Sequence, residues 1–118
     1  MKVLFISFAL LFCITAKDLL TGRWESKPSE KGNVTGVVFK SDSTFEGYVN
    51  KKPFVSGIYH FNADDSILSF TDNGCNGVKG MYKAIFFSNA DSIRFKVISD
   101  SCEERKEGMQ RLIMGRIK

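Results

Sequence analysis

From Trp24 to the C-terminus the chain is written in short runs in which apolar and polar side chains alternate. In Thr44–Asn50, Phe45, Gly47 and Val49 fall on one face and Thr44, Glu46 and Tyr48 on the other, the period of two expected of a strand with one wet side. Runs rich in strand-forming residues are Asn33–Lys40, Phe54–Phe61, Ser66–Thr71, Val78–Phe87, Ser92–Ser99 and Met109–Ile117. Between them lie turn formers at Ser41–Ser43, Lys51–Pro53, Asn62–Asp65, Asp72–Gly77 and Ser88–Asp91, where Gly, Pro, Asn, Asp and Ser reverse the backbone cheaply. With a first strand at Trp24 this predicts eight strands and no helix, the charged segment Asp100–Gly108 being a loop. Alternation places Phe39, Phe45, Tyr59, Tyr82, Phe86 and Phe95 inside and Lys83, Arg94 and Lys96 outside. In Ser66–Thr71 either Leu68 and Phe70 or Ile67 and Ser69 face inward.

An internal echo supports this division. Gly57-x-Tyr59, Asn62-Ala63-Asp64, Ser66-Ile67, Asp72 and Cys75 recur in order as Gly80-x-Tyr82, Asn89-Ala90-Asp91, Ser92-Ile93, Asp100 and Cys102. A repeated hairpin is the mark of a meander. Short antiparallel strands in series close most simply into an up-and-down barrel, because closure leaves no exposed edges; a two-sheet sandwich is the alternative. The expected fold class is therefore all-β, an eight-stranded antiparallel barrel. In such a barrel the short turns Ser41–Ser43, Asn62–Asp65 and Ser88–Asp91 share one end, which is closed. The connections Lys27–Gly32, Lys51–Pro53, Asp72–Gly77 and Asp100–Gly108, mostly longer and richer in Gly, Pro and charge, share the other, which forms a mouth. Trp24 and Arg116 then meet at the closed end, where an Arg over a Trp face is favourable by roughly 0.5–2 kcal/mol; Arg111 is the competing partner.

The N-terminus changes how the cysteines are read. Met1-Lys2, the apolar run Val3–Thr15 and Ala16 before charged Lys17-Asp18 have the order of a signal peptide, 1–16, leaving one domain at 17–118. The run is short of the ~20 residues a membrane span needs, so no integral span is expected in the mature chain. Lipidation at Cys13 is a weaker alternative, because Phe12 is bulky where such sites take a small residue. Export leaves Cys75 and Cys102 as an even pair in an oxidising compartment, secreted or periplasmic, and predicts one disulfide between them. The charge of +4 is interspersed, without the basic block that nucleic acid requires.

Leu20-Thr21-Gly22-Arg23-Trp24, a Gly-x-Trp ahead of short alternating strands, resembles the opening of the calycin barrels, among them lipocalins, fatty-acid-binding proteins and avidins. Lipocalins stack a late Arg on this Trp at the base of the barrel, which implies a closing role for Gly22, Trp24 and Arg116. Avidins line their site with further tryptophans; Trp24 is the only one here, so biotin is not implied. Cys75, Gly80-Met81-Tyr82 and Asp100-Ser101-Cys102-Glu103-Glu104-Arg105 resemble a pattern in small secreted bacterial lipocalin-like barrels. That resemblance covers most of 17–118 and implies a fold, with no activity attached.

Candidate chemistry is sparse. The sole His60 falls near the closed end, away from both cysteines, so no metal site is expected. Asp64-Asp65 lie in a turn, where Asp bonds its own backbone. No catalytic group, cofactor or enzyme activity is expected, and binding remains. One hypothesis places a small, partly apolar or amphiphilic ligand in the mouth, with Tyr59, Tyr82 and Phe45 inside and Lys51, Lys52, Lys79 and Arg105 near the entrance. The other is a solid barrel that binds or inhibits a protein, in the manner of protease or lysozyme inhibitors, through loops such as Glu103–Glu107. An eight-stranded barrel can be filled by its own side chains or hold one small ligand.

Overall fold

The structure is a computed structural model and describes residues 17–118. The expected signal peptide, 1–16, and Cys13 lie outside the described residues. A short helix α1 (Lys17–Leu20) leads into β1 (Gly22–Ser26), β2 (Thr35–Phe39), β3 (Thr44–Val49), β4 (Lys52–Asn62) and β5 (Ile67–Asp72). A 3-10 turn at Cys75–Gly77 precedes β6 (Gly80–Phe87) and β7 (Ser92–Ser99), followed by α2 (Glu103–Arg111) and β8 (Ile113–Ile117). The eight strands form a closed barrel in sequence order, every pair antiparallel. No helix among the described residues is long and apolar enough to cross a membrane.

Turn chemistry sets the register. Between Val49 and Lys52, which face each other, only Asn50 and Lys51 intervene, with φ of 52° and 68°. This is the two-residue hairpin whose left-handed backbone matches strand twist. At Asn62–Ser66 the Asn62 carboxamide accepts from Asp64 N–H and the Asp65 carboxylate from Ile67 N–H, at 2.9 and 3.1 Å, the local bonds expected of turn Asx residues.

The alternation inferred above holds: Phe39, Phe45, Tyr59, Tyr82 and Phe95 are buried, Phe86 packs against them, and Lys83, Arg94 and Lys96 are exposed. β5 turns Leu68 and Phe70 inward. One expectation is corrected. The segment from Glu103 is a helix through Arg111, and the last strand begins at Ile113, after the expected Met109. Glu103 and Glu104 in the first turn and Arg111 in the last suit the helix dipole. Arg105, Met109 and Leu112 fall at helical spacing, and the latter two pack against the core.

The closed end is built around Trp24, which is fully buried. Its indole N–H donates to the Leu20 carbonyl at 2.9 Å, and the Arg116 guanidinium lies 4.2 Å from its ring centroid. Arg116 also donates to the carbonyls of Leu19, Thr21 and Ala90. One side chain of β8 thus ties together the N-terminal segment and the β6–β7 turn. Gly22 has φ of 129°, and a β-carbon there would lie 3.6 Å from Arg116 Nη1; it supplies a backbone angle that other residues rarely adopt. Arg116→Ala is expected to cost about 2–3 kcal/mol, through the lost charged hydrogen bonds and cation–π contact, measured by urea unfolding.

Candidate functional site

The barrel interior changes character along its axis. Towards the base it is filled by ring contacts: Trp24 with Phe86, Phe86 with Phe61, and Phe39 edge-on to Tyr59 at 5.1 Å. Towards the mouth the inward positions of β2–β4 are Thr35, Val37, Gly47, Val49 and Val55, residues too small to meet across the barrel. There a cavity opens, floored by Phe39, Phe45, Leu68, Phe70 and Phe95 and bordered by Met109 and Leu112. It is the inner part of a larger space of about 1580 Å³ that is continuous with solvent and extends outside the barrel along β8 to Ile117 and to Phe87 and Ser88 at the closed end.

One wall of the mouth is a buried ionic cluster. Arg105 reaches inward from α2 and donates from Nε and Nη2 to the two carboxylate oxygens of Asp100, at 2.8 and 2.7 Å. It further donates to Asp72 Oδ2 at 3.2 Å and to the Val78 carbonyl at 2.9 Å. The side chains of Arg105, Asp72 and Asp100 are 9, 6 and 0 % exposed. Phe70 lies under the guanidinium, 5.0 Å from Cζ to ring centroid, and stacks on Tyr82, whose hydroxyl donates to Asp100. Gly80 makes room for this: a β-carbon there would sit 3.0 Å from Asp100 Oδ2 and 3.1 Å from Arg105 Nη2.

The cluster is electrostatically poised. Burial would push the Asp100 carboxyl up, but the bonds from Arg105, Tyr82 and the Cys102 N–H outweigh it and hold the group at about 2. Burial and the Asp100 carboxylate push the Tyr82 phenol up, so it stays a donor. The unfolded Asp titrates near 3.8, so between these values the unfolded chain holds a proton that the folded one does not, and stability rises with pH. The contribution, about 2 kcal/mol, is present above the unfolded value and lost as the pH falls towards about 2. Urea midpoints across this window should show that slope, and Asp100→Asn should flatten it.

The cysteines pair as expected. Cys75 and Cys102 form a disulfide with Cα atoms 5.9 Å apart, bringing the β5–β6 and β7–β8 connections together at the mouth.

The residues proposed for ligand contact divide. Phe45 and Arg105 border the cavity. Tyr59 and Tyr82 are inside the barrel, as expected, but outside the cavity lining, Tyr59 donating to the Lys40 carbonyl at 2.7 Å at the closed end and Tyr82 to Asp100. Neither hydroxyl is left for a ligand to satisfy. Lys51, Lys52 and Lys79 are exposed outside the cavity lining; Lys51 borders a shallow depression with Glu25, Tyr48 and Asn50. Arg105 is engaged internally, with Asp72 as the partner that sequence reasoning missed. The cue was Asp72 closing an inward β5 triplet with Leu68 and Phe70.

The chain matches no protein-family model and no curated protein.

Proposed function

We propose that this is a small exported, lipocalin-like binding protein that holds one apolar molecule in the mouth half of its barrel, and that it performs no chemistry. The observation that carries the reading is the apolar cavity left where β2–β4 turn small residues inward while the base is filled. A concave, mostly apolar, preformed space with few polar groups is the usual form of a small-molecule site. The disulfide is compatible with an oxidising compartment, secreted or periplasmic. Recognition of a protein through Glu103–Glu107 draws less support, because that segment is a helix whose Arg105 faces the barrel.

The test is a titration with N-phenylnaphthylamine, a neutral probe that fluoresces in apolar surroundings. Fluorescence should saturate at one probe per barrel, and Val37→Trp, which fills the space beside Phe39, should abolish the signal while the far-ultraviolet spectrum is unchanged. Absence of saturable binding, or binding indifferent to Val37→Trp, would contradict the reading.

A further inference from the structure

We propose that the cavity selects uncharged or cationic apolar molecules and rejects carboxylates. The inference rests on the ligand-binding reading above and names the class of ligand it takes. A carboxylate entering an apolar space must be compensated by a cation or by donors, or its desolvation goes unanswered. The cations bordering the cavity are Lys27, Arg105, Arg111 and Arg116. Arg116 is held at the base by three backbone carbonyls and by Trp24. Lys27 and Arg111 are exposed to water at the rim, where solvent and salt screen them, and Glu25 and Glu104 border the same space. Among the described residues Arg105 is the cation set into the upper wall, and it is taken by two carboxylates.

Those two carboxylates against one guanidinium leave the cluster with a net negative charge. Asp100 is saturated, each of its oxygens accepting two hydrogen bonds, from Arg105 and Cys102 N–H on one and from Arg105 and Tyr82 on the other. Asp72 accepts one bond on each oxygen, from Gly74 N–H and from Arg105, and it borders the cavity. The excess charge therefore faces the ligand at Asp72. In surroundings of low dielectric it repels a carboxylate and attracts an ammonium or N–H donor.

The experiment displaces N-phenylnaphthylamine with decanol, decylamine and decanoate, which share a chain and differ in the head group. Decanol and decylamine should compete at least about tenfold better than decanoate, as one unscreened charge in the wall implies. Asp72→Asn should narrow the gap between amine and acid by about the same factor. In the unaltered protein high salt should leave most of the gap in place, since buried charges are weakly screened; this arm stands even if the variant does not fold. Decanoate competing as well as decanol, or a preference that salt abolishes, would overturn the selectivity and leave the cavity reading intact. Failure of the probe to bind at all would remove the cavity reading, and this one with it.

Discussion

Arg105→Met is expected to be among the most damaging single substitutions in this barrel, with a loss of about 3–5 kcal/mol at neutral pH. The cause is what it leaves behind. Asp100, with its side chain fully buried, would keep only the Tyr82 hydroxyl and the Cys102 N–H against the desolvation that already opposes its charge. The penalty should shrink as the pH falls, because without Arg105 the carboxyl takes up a proton more readily in the folded state. Adding Asp100→Asn should recover part of the loss by removing the orphaned charge. Hydrogen exchange should locate the damage: α2 loses the side chain that ties it to Asp72, Asp100 and Val78, and its amides should open before those of β1–β3. Urea unfolding at two pH values with these variants checks the loss, its pH dependence and the rescue. A loss below about 1 kcal/mol, typical of a solvent-exposed pair, would mean the cluster is not buried as described.

Removing the disulfide is the second large effect. Cys75 and Cys102 are 27 residues apart in sequence, and opening a loop of that size is worth about 3–4 kcal/mol on the chain-entropy model. The Cys75→Ser, Cys102→Ser double variant should unfold at correspondingly lower urea. Because Cys102 immediately precedes α2, the variant should also release the helix N-terminus while the Trp24–Arg116 base stays closed. Trp24 fluorescence should keep its native maximum until global unfolding. An early shift of that maximum would show that the bridge supports the base as well as the mouth.

The fold was legible because its signals are local. Period-2 alternation fixed the inward face of β3, the Asx-rich turns marked the closed end, and meander order put Trp24 beside Arg116. The helix was obscured because Glu103–Glu107 is as polar as a loop and Met109-Gln110-Arg111-Leu112 passes for part of a strand. Only the spacing of Arg105, Met109 and Leu112 distinguishes it, and that pattern needs an inward-facing Arg to be counted with the apolar residues. Tyr59 and Tyr82 show a second limit. Alternation says that both rings point inward, but the bonding of each hydroxyl depends on where the chain returns, at Lys40 in one case and Asp100 in the other. Whether the interior is full or hollow is a sum over facing strands. Rings fill the base, whereas near the mouth Val37 and Val55 pack against the edge of the core and leave open space beyond it.

Native mass spectrometry of the protein purified from its own source is the most direct test of whether the mouth space holds a molecule. A population of barrels carrying one non-covalent apolar adduct is expected, absent from the Val37→Trp variant prepared in the same way. A bare polypeptide mass in every preparation, together with no uptake of added decanol, would contradict it.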